Sequence, residues 1–229
     1  ETTSDRYVTV AAVLSTPLLW QKFSNEWNAK LTLEKIPTKP KHLKPFFHTT
    51  EFMNRNYPYR DKWGWDDAKR DLFYGSLILM IQNRALYATA ICIMMDDYRR
   101  FQDDYPEAKR IFGNAGSFAA WLAFWHCADW AESRNYDETI SYIIDRGDTF
   151  YNAVKSAHDY ACADETRRKS YYFKMGGLTE GNKEIYIPIQ AADVVAWEMG
   201  KRLKDLDSGN VDPDLRPRWP FNELNRYGS

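Results

Sequence analysis

A β-rich apolar run that leads directly into a helix start is the feature that most constrains the fold of this chain. Tyr7–Leu14 is almost continuously apolar, as buried central strands are. Ser15-Thr16-Pro17 follows at once and joins a capping side chain to a proline, which suits the first turn of a helix. The apolar face of that helix, predicted to end near residue 34, comprises Leu19, Phe23, Trp27 and Leu31. A buried strand followed closely by an amphipathic helix predicts an α/β structure.

Strands and helices continue to alternate along the chain. Further strands are predicted at 86–95, 138–144 and 170–175, and segment 46–52 is either a short strand or the approach to one. Further helices are predicted at 65–84, 96–112, 117–133 and 149–161, and a glycine-bearing turn at 176–182. This alternation predicts one α/β domain, residues 1–204, with a mixed sheet covered by helices on both faces. Residues 205–229 form a polar, proline-bearing tail, which we expect to pack on the surface or on a partner.

Composition narrows the class of protein but does not identify it. The formal net charge of −1 gives no overall attraction for nucleic acid. Three widely spaced cysteines form no metal-binding pattern, and their odd number argues against a disulfide framework. We find no signal peptide and no apolar run long enough to span a bilayer, so a cytoplasmic location without membrane contact is expected.

Tryptophan is unusually frequent, with nine copies. Trp121, Trp125 and Trp130 recur at helical spacing and predict a stripe of core residues. A second aromatic group lies in a polar loop, where stacking on a base or a sugar is an alternative to packing. That group comprises Tyr57, Tyr59, Trp63 and Trp65.

The segment at 187–203 predicts the last helix of the domain. Pro188 suits the first turn, and the apolar residues that follow recur with helical spacing. Asp193 is expected in the first turn beside the apolar face, where the helix dipole favours a negative charge. Position alone leaves two interpretations open: Asp193 is a helix-start residue, or it faces inward towards a cation.

Residues 188–198, Pro-Ile-Gln-Ala-Ala-Asp-Val-Val-Ala-Trp-Glu, resemble the C-terminal signature of the domain-of-unknown-function 3800 family. That family resembles the ribonuclease H-like superfamily, whose members cut or join nucleic-acid strands with two divalent metals. Three further segments agree with the family in type and order: the start at Glu1–Asp5, Phe47–Phe52 and Tyr142–Asp148. The resemblance spans residues 1 to about 204 and implies a ribonuclease H-like α/β fold.

The resemblance implies a set of metal ligands. The family carries Asp followed by Glu at its first strand, and Glu1 matches the second of these. Either an Asp precedes Glu1 in the full gene product, or Glu1 acts alone. The implied carboxylates, which would bind Mg²⁺ or Mn²⁺ for phosphodiester hydrolysis of DNA or RNA, are Glu1, Glu51, Asp145 and Asp193, with Asp148 as an alternate or supporting ligand.

His48 lies three residues before Glu51 and is a candidate catalytic residue. It could orient the attacking water, accept a proton or contact a phosphate, whereas the alternative is an ordinary hydrogen-bonded histidine. Lys44 and Arg146 are either phosphate contacts or plain surface charges. Gln190 is expected to position Asp193 or the backbone beside it.

Two other functions stay open. One is a binding or interaction protein of a defence or mobile-element system, which keeps the ribonuclease H-like fold but has a degraded metal site. The other is a structural subunit whose tail docks a protein partner or a second copy of the chain. The motifs of common serine hydrolases, nucleotide-binding loops, zinc proteases and dinucleotide-binding domains do not occur.

Overall fold

A computed structural model describes residues 2–3, 6–37, 45–56, 59, 64–146, 151–168 and 174–209. These residues form a mixed α/β structure. The chain divides into two compact units, each built from two separate segments. The first unit combines residues 1–12 with 89–181, and the second combines residues 13–88 with 182–229.

The strands of the described residues form two sheets. The first sheet has the order β1 (Thr2–Thr3), β2 (Tyr7–Leu14), β3 (Tyr87–Met94), with β1 antiparallel to β2. The second pairs β4 (Ile140–Asp145) with β5 (Met175–Gly181) in parallel. The predicted strands at 7–14 and 86–95 are confirmed, and the former is the central strand of its sheet.

Each predicted helix is present among the described residues. The helices are α1 (Pro17–Leu33), α2 (Thr49–Met53), α3 (Asp67–Arg84), α4 (Met95–Asp104), α5 (Pro106–Phe112), α6 (Ala115–Ser133), α7 (Tyr151–Cys162), α8 (Glu165–Arg168) and α9 (Pro188–Asp207). Of these, α2 and α8 are helices that were not predicted. Proline divides the predicted helix at 96–112, because Pro106 opens a new first turn. None of the helices in the described part of the chain is long and apolar enough to cross a membrane.

Part of the glycine-bearing stretch at 176–182 is strand β5, so the predicted turn is wrong over residues 176–181. The pairing of β4 with β5 is irregular between Ile140 and Tyr142. At this point a Cβ atom on Gly176 would lie 2.8 Å from the carbonyl oxygen of Ile140. Glycine is therefore required in β5 by the close approach of the neighbouring backbone, not by a turn.

This close approach predicts a position-specific loss of stability. Gly176→Ala is expected to lower the free energy of unfolding by about 1–3 kcal/mol, because the added methyl group forces the two strands apart. Gly177→Ala is the matched control, since its Cβ would come no closer than 3.7 Å to the Ser141 Oγ. Urea denaturation of both variants measures the difference. Equal stabilities would show that the approach of the strands does not select glycine at position 176.

Helix α6 contradicts part of the predicted tryptophan stripe. Trp121 is buried, but Trp125 is 40 % exposed. The buried side of the helix is formed mainly by alanines, among them Ala119, Ala123 and Ala128. Trp125 lies on the exposed side of the helix, next to the exposed His126.

The core of the second unit is aromatic and lies around α1, α3 and α9. The predicted face of α1 is confirmed at its centre, since Phe23, Trp27 and Leu31 are fully buried. Thr16 caps this helix by accepting a hydrogen bond from the Leu19 N–H at 3.3 Å. The rings that complete the core are Phe47, Phe52, Tyr59, Phe73 and Tyr74.

Two expectations about the second unit are wrong. Segment 46–52 is not a strand: residues 45–48 are irregular and α2 begins at Thr49. Asp193 does not lie in the first turn of the last helix, because α9 begins at Pro188 and carries no acidic residue in that turn. Helix α9 continues to Asp207, and residues 210–229 of the predicted tail lie outside the described residues.

Candidate functional site

Side chains from α9 hold the main chain that carries His48. Gln190 accepts a hydrogen bond from the Phe47 N–H at 2.9 Å, and Asp193 accepts one from the Thr49 N–H at 3.0 Å. Residues three apart lie on the same face of a helix, so Gln190 and Asp193 act side by side. The two backbone amides that flank His48 are therefore both bound by the Gln-x-x-Asp motif.

Gln190 is fully buried and uses both ends of its amide. Its oxygen also accepts the indole N–H of Trp27 at 2.8 Å, and its NH₂ group donates to the carbonyl oxygen of Lys183 at 2.8 Å. Satisfying a buried amide in this way avoids a desolvation penalty and ties three separate segments together. Gln190 thus holds the main chain just before His48, because it binds the Phe47 N–H.

Asp193 accepts a hydrogen bond from the start of α2, where the residue at the N-cap position provides no side-chain cap. His48 occupies the N-cap position of α2, but its side chain makes no capping hydrogen bond. The first backbone amides of a helix have no partner within it, so an outside acceptor is needed. The half-buried Asp193 carboxylate supplies this acceptor from a different helix.

Glu51 lies in the first turn of α2, where its side chain is half-buried. His48, directly before this helix, is also half-buried, whereas the neighbouring Phe46 and Phe47 lie in the interior. The start of one short helix therefore carries the predicted histidine and one predicted acid. The Thr49–Asp193 hydrogen bond brings a second predicted acid to the same place.

Tyr59 also belongs to this site. Its side chain is buried, and its hydroxyl donates to the carbonyl oxygen of Phe46 at 3.3 Å. Burial raises the pKa of Tyr59 well above its usual value, the main-chain N–H of His48 opposes that rise, and the charges of Glu51 and Asp193 add to it. Glu51 and Asp193 therefore both lie close enough to Tyr59 for their charges to affect the pKa of its hydroxyl.

Sequence patterns did not single out Tyr59 as a site residue. It stands in the aromatic loop for which stacking on a base was an alternative, but at 2 % exposure its ring has no face for a base. Trp65 of the same loop packs against Phe73, with ring centroids 5.3 Å apart, and the Lys69 ammonium lies 4.4 Å from its ring. Tyr57 and Trp63 lie outside the described residues.

The remaining predicted ligands lie in the first unit or outside the described residues. Asp145 ends β4 as predicted, opposite Gly181 of β5, and belongs to the first unit. Glu1 and Asp148 lie outside the described residues, as does Lys44. Arg146 faces Glu180 at 3.9 Å on an exposed surface. The convergence of all the predicted acids on one cleft stays a prediction.

The donor set suits a hard cation. Carboxylate oxygens are the ligands that Mg²⁺ and Mn²⁺ prefer, and Glu51 and Asp193 supply them. Among the residues that the structure describes, no group of three or more histidine, cysteine, aspartate or glutamate side chains is placed to hold a metal. Glu51 and Asp193 alone are fewer than such a group needs.

Comparison with family models, with curated proteins and with solved structures finds no match to this chain. The function is therefore argued from the residues and their geometry.

Proposed function

We propose that this chain is a divalent-metal-dependent nuclease with a ribonuclease H-like fold. The hydrogen bond from the Thr49 N–H to Asp193 carries the proposal, because it joins the C-terminal acid to the helix of Glu51 across 144 residues of sequence. His48 lies at the same helix start. The proposed ligand set is completed by the acids that the resemblance implies: Glu1, Asp145 and Asp148.

Each residue of the described site has a role in this proposal. Glu51 and Asp193 would hold Mg²⁺ or Mn²⁺ through their carboxylate oxygens. The cations, when bound, supply the positive charge that activates water and stabilises the leaving oxygen of a phosphodiester. His48 orients the attacking water or accepts a proton from it. Because water is the nucleophile, no nucleophilic side chain is needed.

The electrostatics of the site support a cation. The charges of Glu51 and Asp193 both raise the pKa of the buried Tyr59 phenol, so the two carboxylates share one neighbourhood. A cation bound there would be attracted by both acids.

A second function is favoured by one observation, the use of Asp193 as a helix cap. This hydrogen bond gives Asp193 a structural role that needs no metal. The corresponding proposal is a binding or interaction protein that keeps the fold and lacks catalysis. In that case Asp193 and Gln190 serve only to attach α9 to the main chain around His48.

A cleavage assay separates the two functions. Labelled single-stranded and double-stranded DNA and RNA are incubated with the protein in Mn²⁺, in Mg²⁺ and in a chelator. The nuclease proposal expects cleavage that requires metal and that Asp193→Asn removes, which also excludes a contaminating nuclease. Retention of an oligonucleotide without cleavage in any metal would favour the binding protein.

His48→Ala is expected to lower the Mn²⁺-dependent cleavage rate by about a hundredfold or more, the usual scale for losing an acid–base group. Metal affinity should change little, because carboxylates bind these cations better than imidazole does. Single-turnover cleavage and Mn²⁺ titration measure the two quantities. His126→Ala is the control, since that histidine is exposed on α6 in the other unit. Normal turnover with lower stability would make His48 a purely structural residue.

A further inference from the structure

The Tyr59 hydroxyl lies against the stretch of main chain that leads to His48. It donates to the Phe46 carbonyl oxygen at 3.3 Å, and the main-chain N–H of His48 lies close enough to lower the pKa of the phenol. A hydroxyl can donate and accept at the same time, so this one group can serve both residues. Tyr59 thus complements Gln190, which holds the amide of the intervening Phe47.

The ring that carries this hydroxyl is itself fixed. Its centroid lies 5.5 Å from that of Phe52 and 6.5 Å from that of Phe47, in edge-to-face arrangements. The Tyr59 backbone N–H donates to the carbonyl oxygen of Asn56 at 2.6 Å. Because the ring is fixed, the position of its hydroxyl is fixed as well. A buried hydrogen bond from this hydroxyl therefore restrains the main chain that it contacts.

We propose that Tyr59 is a positioning residue of this site, whose hydroxyl fixes the main chain of His48 relative to Glu51 and Asp193. It acts through His48 and does not touch the substrate. The inference rests on the proposed nuclease function for its catalytic consequence, but the restraint of the main chain is independent of catalysis. Small displacements of a catalytic group cost rate, and about 1 Å can cost about a hundredfold.

Tyr59→Phe tests this inference, because it removes the hydroxyl and keeps the ring. The matched control is Tyr74→Phe, which removes from the same core a hydroxyl that is bonded to α9. The Tyr74 hydroxyl donates to Glu198 at 2.7 Å. Both variants are compared with the wild type by amide hydrogen exchange at His48, without metal, and by Mn²⁺-dependent cleavage.

In Tyr59→Phe, exchange at the His48 amide is expected to accelerate about tenfold, the scale of losing one buried hydrogen bond. The value of kcat should fall about tenfold or more with KM nearly unchanged, because substrate binding does not use this hydroxyl. Tyr74→Phe should leave exchange at His48 and the ratio of kcat to KM close to wild type.

The outcomes separate this inference from the nuclease proposal. Unchanged exchange at His48 in Tyr59→Phe would overturn the inference, whatever the cleavage result. If the wild type cleaves and Tyr59→Phe cleaves at the same rate, the nuclease proposal stands and the positioning role is wrong. If the wild type cleaves no substrate, the nuclease proposal fails, and the exchange measurement alone decides whether Tyr59 restrains the main chain.

Discussion

Asp193→Asn is expected to abolish Mn²⁺-dependent cleavage, with a loss of about a thousandfold or more, while the fold stays intact. The amide oxygen of asparagine can still accept the Thr49 N–H that the carboxylate now accepts. What the substitution removes is the negative charge, which is the property a divalent cation requires. If carboxylates cluster here as the nuclease proposal requires, neutralising one of them should hold or raise the stability of the metal-free protein.

The comparison with Asp193→Ala separates the two roles of this side chain. Alanine removes both the charge and the cap, so it should also lower the free energy of unfolding by about 0.5–2 kcal/mol. Cleavage, Mn²⁺ binding by calorimetry and urea denaturation are measured on both variants. Normal cleavage by Asp193→Asn would show that Asp193 only caps α2.

Gln190→Leu is expected to cause the largest loss of stability, about 3 kcal/mol or more. Leucine fills a similar volume but leaves the Trp27 indole N–H, the Phe47 N–H and the Lys183 carbonyl oxygen without their partner. Each buried polar group left unsatisfied costs about 1–3 kcal/mol. Urea denaturation followed by tryptophan fluorescence measures the change.

Gln102→Leu is the matched control for that substitution. The half-buried Gln102 donates a long hydrogen bond, 3.4 Å, to the carbonyl oxygen of Gly113, and its side chain also lies close enough to the Tyr98 hydroxyl to lower the pKa of that phenol. Its replacement should change the free energy of unfolding by no more than about 1 kcal/mol. Equal effects of the two substitutions would mean that the buried amide of Gln190 is not what joins the three segments.

Local signals in the sequence predicted the regular elements well. Thr16 with Pro17 and Asp66 with Asp67 mark the starts of α1 and α3, and both caps form as hydrogen bonds to the helix backbone. The strand at 7–14 follows from its apolar run. In each case the determinant lies within a few residues of the element, so a local pattern is sufficient.

The features that were wrong or missed depend on distant neighbours. Gly176 lies in a strand because the Ile140 carbonyl approaches it. Asp193 reaches the N–H of Thr49 at the start of α2, 144 residues away in sequence. Tyr59 becomes a site residue only when Phe46 and His48 come to lie beside its hydroxyl. No local pattern contains these contacts.

The hydrogen bonds that α9 accepts join residues far apart in sequence, so they cannot form until the end of the chain has been synthesised. The Phe47 and Thr49 amides are made early, but their acceptors follow 143 and 144 residues later. Contacts this distant in sequence form late and slow the folding of the segments they join. A nascent chain that has not yet released α9 therefore carries the His48 and Glu51 segment without the two acceptors from that helix. Premature termination before residue 190 therefore yields a product in which the Phe47 and Thr49 amides have lost both of these acceptors.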